Sequence, residues 1–253
     1  MNKNLIVVIM AGGLGKRMNS DLPKVLHCIN GKPMLVHVIE QSLLLKPDKI
    51  LIVVGKYKDI IIGTINNYID FVNKPNKIEF IYQEEPLGTG HAINCCLHEL
   101  YKYKYNSNSV TLILSGDVPL LQHNTVETFL QNNNDAKLMT TLLDNPTGYG
   151  RIIEDNNTFT KIVEEKDCLI EEKLVNKVNC GVYAFTTELL CKYIGNIDNH
   201  NSQGEYYLTD IIKLIKCNED IIIDTFDIPK QIQYQIMGVN TIEQLNELEL
   251  YFL

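Results

Sequence analysis

The feature that most restricts how this chain can fold is the run Leu5–Met10, apolar at every position and broken off by Ala11-Gly12-Gly13. An unbroken, β-branched run without alternation is the pattern of a strand covered on both faces, and such strands belong to sheets flanked by helices. The first half repeats the theme. Pro33 is placed to open a helix through Leu45, with Met34, Leu35, Val38, Ile39 and Leu43 on one face. Lys49–Val54 reads as a second buried strand, Tyr57–Phe71 as a helix and Lys77–Tyr82 as a third strand. Gly88 opens a helix to about Tyr103, and Val110–Ser115 is a strand ending at Gly116-Asp117. This alternation predicts βαβ units and an α/β fold with a mainly parallel, doubly wound sheet.

Beyond about residue 135 the rhythm changes. Ala136–Leu143, Gly150–Glu154, Thr158–Glu164 and Val178–Thr186 read as strands with few helices between them, an antiparallel extension of the first sheet. Helices resume at Thr187–Tyr193, Glu205–Lys216 and Thr241–Phe252. No Pro/Gly/Ser-rich linker divides the halves. The expectation is a single domain over 1–253, with one lobe at about 1–135 and a second, ending in the C-terminal helix, at about 136–253.

Composition narrows the function classes. Lys plus Arg (23) minus Asp plus Glu (31) gives a net charge of −8. That is not the basic footprint of a nucleic-acid binder, so any phosphate must be held by local groups. Seven cysteines with no CxxC pair argue against a zinc site or disulfide framework and for reduced thiols in a cytoplasmic compartment. No apolar stretch approaches the ~20 residues of a membrane span.

The glycine loop Ala11-Gly12-Gly13-Leu14-Gly15-Lys16-Arg17-Met18 fails two generic phosphate motifs. A Walker A loop needs Gly where Met10 stands and Ser or Thr where Arg17 stands. A dinucleotide fingerprint starting at Gly13 needs Gly or Ala at Met18 and an acid after the second strand, which closes instead with Val54-Gly55-Lys56. The physical content survives. Glycines without Cβ let backbone N–H groups approach an anion, Lys16 and Arg17 add charge, and Asp21-Leu22-Pro23-Lys24 returns a lysine toward the same place. From the loop alone, phosphate binding and a plain strand-to-helix turn remain about equally open.

The string AGGLGKRMNSDLPKVLH (Ala11 to His27) resembles the signature of sugar-1-phosphate nucleotidylyltransferases, in particular the uridyltransferase domain of bifunctional bacterial N-acetylglucosamine-1-phosphate uridyltransferases. Further stretches resemble that family in the same order: QEEPLGTGHA (Gln83–Ala92), SGDVPLL (Ser115–Leu121), DNPTGYGRI (Asp144–Ile152), IVEEKD (Ile162–Asp167), NCGVY (Asn179–Tyr183), QGEYYLTDII (Gln203–Ile212) and GVN (Gly238–Asn240). The resemblance implies a Rossmann-like fold of the nucleotide-diphospho-sugar transferase type, with UTP and N-acetylglucosamine 1-phosphate as substrates and Mg²⁺ as cofactor. It implies that Met10, Ala11, Gly12 and Gly13 meet the uridine, that Arg17 and Lys24 hold the triphosphate, and that Gln83 and Gly88, with Thr89 nearby, read the uracil edge. It further implies Asp117 and Asn240 as Mg²⁺ ligands, and Gly150, Glu164 and Asn179 around the sugar, with Glu205 and Tyr207 behind them. It implies Arg17, Lys24 and Asp117 as the catalytic set.

The residues agree with parts of this. Asp117 follows a hydrophobic strand, so it falls at the carboxyl edge where open α/β sheets bind ligands. A carboxylate and an amide oxygen are hard ligands suited to Mg²⁺. Gln83 offers both a donor and an acceptor, as a uracil edge requires. There are also departures. Ser115 stands where some relatives carry Tyr, and Lys16 where Thr is common. No hexapeptide-repeat β-helix follows Leu253, so neither acetyl transfer nor the associated trimer is expected. A related pyrophosphorylase using glucose 1-phosphate with UTP or dTTP, and a catalytically silent UDP-sugar-binding regulatory module, are the rival readings. Monomer and homodimer are both left open.

Overall fold

The computed structural model describes residues 4–69, 77–106, 108–131, 135–156 and 158–252. β1 (Asn4–Met10) leads through the glycine loop to a short hairpin, β2 (Cys28–Ile29) and β3 (Lys32–Pro33), then α1 (Met34–Leu44), β4 (Lys49–Val54), α2 (Lys58–Ile65) and β5 (Ile78–Tyr82). Two short helices, α3 (Thr89–Asn94) and α4 (Leu97–Leu100), precede β6 (Ser109–Ser115) and α5 (His123–Phe129). β7 (Ala136–Leu142), β8 (Arg151–Asp155), β9 (Thr158–Val163) and β10 (Lys177–Thr186) follow, then α6 (Thr187–Tyr193), α7 (Asp210–Asn218), β11 (Ile223–Asp227) and α8 (Ile242–Glu249).

The main sheet has the order β11-β7-β10-β6-β1-β4-β5, with β8 and β9 attached beside β10. β1 pairs in parallel with β4 and β6, and β4 with β5, as the buried apolar runs predict. β10 runs antiparallel to both β6 and β7, which begins the antiparallel extension. Alternate residues of the central strands feed different clusters: Val7, Ile9, Ile50 and Ile52 one face, Ile6, Val8, Leu51 and Val53 the other. Both clusters draw on both halves of the chain, Val182 and Ile228 in the first, Phe185 and Ile211 in the second.

Several expectations need adjusting. The helix expected from Gly88 to Tyr103 is divided, because Cys96 N–H bonds Ile93 C=O, a tight i−3 turn that ends α3. The helix expected from Glu205 begins only at Asp210. Tyr206 spends its backbone elsewhere: its N–H donates to Leu87 C=O (2.8 Å), and its C=O accepts from Gly90 N–H (2.7 Å). The C-terminal helix ends at Glu249 and continues as one 3₁₀ turn, Leu250–Phe252. The helix expected over Tyr57–Phe71 is shorter, and its last two positions lie outside the described residues. The β2–β3 hairpin, α5 and β11 add to the elements expected. Among the described residues no helix is long and apolar enough to cross a membrane.

Candidate functional site

Parallel strands put their carboxyl ends on one edge, so the loops after β1, β5 and β6 converge there. The register fixes this closely: Met10 lies opposite Ser115, Gly116 N–H donates to Met10 C=O (2.9 Å), and Ala11 N–H donates to Val53 C=O (2.8 Å). The glycine loop, Gln83 and Asp117 therefore surround one opening. Because β10 runs against β6, with Tyr183 opposite Ile113, its early residue Asn179 reaches the same edge from the other direction.

The opening holds two adjoining cavities. The larger, about 650 Å³, is walled by the glycine loop on one side and by Gln83, Gly88 and Thr89 on the other. Met10, Ala11, Gly12, Gly13, Arg17 and Lys24 all line it. The smaller, about 290 Å³, is lined by Gly150, Glu164, Asn179 and Asn240. Met10, Arg17, Thr89, Ser115 and Asp117 border both, so Asp117 sits at the junction. Two expected sugar-side residues fall elsewhere. Glu205 lines the larger cavity. Tyr207 lines a third cavity of about 470 Å³, its hydroxyl accepting from Gln203 Nε2 (2.8 Å). Glu164 and Thr209 border both that third cavity and the smaller one.

At the junction, charge is tightly arranged. Lys24 Nζ pairs with Asp117 Oδ2 and also donates to Asn240 Oδ1 (3.1 Å). Arg17 Nη2 donates to the same Asn240 oxygen (2.8 Å). Gly15 makes the Lys24 position attainable: it sits at φ 60°, and a Cβ there would lie 2.6 Å from Lys24 Cβ. Asn240 is held by a variant of the capping box at the start of α8, Thr241-Ile-Glu-Gln244, in which Gln244 reaches one residue past the Thr241 N-cap. Thr241 Oγ1 accepts from Gln244 N–H (3.3 Å), and Gln244 Oε1 accepts from Asn240 N–H (2.7 Å). Leu245 and Leu248 of α8 pack with Met18 and Ile29, which joins the Asn240 segment to the glycine loop.

The far wall is a clamp between two segments distant in sequence. Besides the two Tyr206 bonds, Leu208 N–H donates to Thr89 Oγ1 (3.0 Å). Gly88 lies beneath this clamp at φ 116°, and a Cβ there would meet Tyr206 O at 2.5 Å. Gly88→Ala is expected to cost about 1–3 kcal/mol of backbone strain. Denaturant titration should read that loss, and amide exchange at Tyr206 should quicken as the clamp loosens; an unchanged midpoint and exchange rate would contradict it.

On the smaller cavity's wall, a register shift in the β10–β7 pairing between Asn179 and Tyr183 re-aims Asn179. Its Nδ2 donates to Tyr183 OH (2.6 Å), its Oδ1 accepts from Gly181 N–H (3.1 Å), and its backbone N–H ties to Gly150 C=O (2.9 Å). Glu164 Oε1 accepts from Thr209 Oγ1 (2.9 Å). Burial pushes the Glu164 carboxyl above the usual carboxylate range; the Thr209 bond offsets part of this, while Asp210, Asp167 and Glu205 add to it. Below the unfolded-state value of about 4.3 both states hold the proton and the group contributes nothing. As pH rises through the folded-state value the native state is increasingly penalised. Glu164→Gln is therefore expected to raise Tm at pH 7, with the gain fading as pH falls toward 4. Calorimetric melts across that range test it, and a gain independent of pH would exclude the charge as its origin.

Thr209, Tyr149 and Gln244 belong to the site but were not among the residues expected from sequence. Gln244 carried a readable signal, the T-x-x-Q capping box. Thr209 stands within the QGEYYLTD string and Tyr149 within DNPTGYGRI, so both lie in stretches that the resemblance covers.

Fold and cleft together define an open α/β protein with its cavities at the carboxyl edge of the sheet, and comparison with known proteins supplies its family. A model of the nucleotidyl transferase family matches residues 6–223. The chain is 42% identical to a protein of Acanthamoeba polyphaga mimivirus named as a probable UDP-N-acetylglucosamine pyrophosphorylase, over 98% of this chain and 96% of that one. It is 40% identical to the bifunctional protein GlmU of Saccharophagus degradans, covering 98% of this chain and 52% of the relative. Against GlmU of Dechloromonas aromatica the identity is 41%, with 96% and 51% covered. The chain thus spans about half the length of these bifunctional relatives. A solved structure from Bacillus anthracis, provisionally named a glucose-1-phosphate thymidylyltransferase, shares the fold with TM-score 0.71 at 18% identity, over 98% of this chain and 94% of that one. This chain belongs to the nucleotidyl transferase family.

Proposed function

We propose that the chain transfers the uridylyl group of UTP to N-acetylglucosamine 1-phosphate, releasing pyrophosphate and forming UDP-N-acetylglucosamine, as one catalytic unit. The observation that carries this reading is Asp117 at the junction of two cavities, one walled by the glycine loop and one by sugar-binding types of residue. The name of the mimivirus relative supports the same substrates.

In the larger cavity Gln83 Nε2 already donates to Gly88 C=O (3.1 Å) and His91 Nδ1 (3.1 Å), so its free function is Oε1, an acceptor for uracil N3–H. The Gly88 N–H supplies the matching donor for O4. Arg17 and Lys24 hold the phosphates from the loop side. In the smaller cavity Glu164 accepts from sugar hydroxyls, and Asn179, with one Nδ2 hydrogen to spare, meets the acetamido group. Glu205 and Tyr207 act at one remove, through Gly88 and Gln203. Asp117 Oδ2 and Asn240 Oδ1 both lie within bonding distance of one ammonium, so this hard-oxygen pair can converge on a single cation. Mg²⁺ held there would neutralise charge on the reacting phosphates.

The attacking sugar phosphate is already an anion, so no general base is required. The protein's part is to align that oxygen with the α-phosphorus and to offset charge on the departing pyrophosphate through Arg17 and Lys24. A pyrophosphatase-coupled phosphate assay over a matrix of nucleoside triphosphates and sugar 1-phosphates tests the reading. Mg²⁺-dependent release should peak with UTP and N-acetylglucosamine 1-phosphate. A maximum with dTTP or glucose 1-phosphate would reassign the substrates, and UDP-sugar binding without release would make the chain a binding module.

A further inference from the structure

The two oxygens assigned to the metal both have cationic partners in this structure. Asp117 Oδ2 is taken by Lys24, and Asn240 Oδ1 is shared by Lys24 (3.1 Å) and Arg17 (2.8 Å). A free divalent ion approaching this pair would meet two fixed positive charges on its own ligands, and at partly buried oxygens such repulsion is only partly screened. The Lys24 and Asp117 side chains are 14% and 16% exposed. The stem of Lys24 is pinned where its Cβ lies against Gly15, while its ammonium stands on the wall of the larger cavity. The amine can therefore turn from Asp117 toward a bound phosphate with its backbone in place.

We propose that Lys24 is the metal site's resident counter-ion: its ammonium holds Asp117 and Asn240 together, keeps free divalent cation out, and gives way only when a triphosphate claims it. Metal then enters with nucleotide, not before it. The inference rests on Asp117 and Asn240 being the metal ligands, and it adds a second duty for Lys24 besides phosphate binding.

Mn²⁺ binding to the full chain without nucleotide, read from loss of the free-ion electron paramagnetic resonance signal, tests this. Wild type should bind weakly. Lys24→Gln should bind about tenfold or more tightly, the scale of removing one competing charge. Lys24→Arg, which keeps the charge, should stay as weak as wild type and serves as the fold-preserving control, with thermal melts run on all variants. The gain should vanish in the Lys24→Gln/Asp117→Asn double variant. If Lys24→Gln binds Mn²⁺ no better than wild type, the counter-ion role is overturned. If instead the gain survives intact in that double variant, the ion is not held by Asp117 and the ligand assignment itself has failed. The two failures are thus distinct.

Discussion

Asp117→Ala is expected to lose more than about three orders of magnitude in turnover at saturating Mg²⁺ and substrates, beyond the ~10²–10³ typical of removing one preorganised electrostatic group. The excess follows from position. Asp117 borders both cavities and is also the partner of Lys24, so its removal deletes the proposed cation ligand and releases the amine from its place. Lys24→Ala, which leaves the carboxylate standing, should fall within the ordinary range. Either change leaves one member of a partly buried ion pair behind, but Lys24 keeps Asn240 Oδ1 and both groups line an open cavity, so the stability cost should be modest. The Asp117 carboxylate faces the cleft, and the segment 238–240 is held to it by a backbone bond, Val239 N–H to Asp117 C=O (3.0 Å), which alanine retains. A folded protein with a modestly lowered melting point and pyrophosphate release down more than a thousandfold is the expected pair of results; near-normal turnover would sink the cation assignment.

The Asp117 position could be read from sequence because it needs only two facts, a buried parallel strand and its end. The same holds for the glycine loop and Gln83, each the continuation of a strand whose carboxyl end falls on a shared edge. What sequence could not supply was the pairing of distant segments. Nothing in QGEYYLTD says that Tyr206 will bond Leu87 and Gly90, and that pairing is why α7 starts at Asp210 and why Glu205 belongs to the larger cavity. Tyr207 shows the same limit: it lines the third cavity, while Glu205 lines the larger one and Leu208 the smaller. Other omissions were readable. Asn30-Gly31, both at positive φ (48° and 75°), is the Asn-Gly turn that specifies a two-residue hairpin, and it joins β2 to β3. β11 is different. Its pairing with β7 depends on a strand more than eighty residues earlier, and three of the five residues in its short run Ile-Asp-Thr-Phe-Asp are polar.

The second large effect lies outside the reacting groups. Arg151 opens β8 with its side chain 2% exposed, its Nη2 2.6 Å from Glu165 Oε2 and its Nη1 donating to Tyr149 C=O. It thereby fastens both flanks of the smaller cavity, since Tyr149 precedes Gly150 and Glu165 follows Glu164. Removing one member of a buried pair commonly costs about 3–5 kcal/mol. Glu165 is 30% exposed and can turn to water, so Arg151→Ala should fall near the lower end, about 3 kcal/mol. Burial alone would account for that loss, so a second variant separates packing from positioning. Arg151→Met keeps most of the apolar volume and needs no partner, and should recover much of the stability. It cannot bridge Tyr149 to Glu165, so the Glu164 carboxylate loses its lateral support. Arg151→Met is therefore expected to show a raised KM for the sugar 1-phosphate, with the KM for the nucleotide unchanged, because the glycine loop and Gln83 do not touch this tie. Equal changes in both constants, or none in either, would reduce Arg151 to a packing residue.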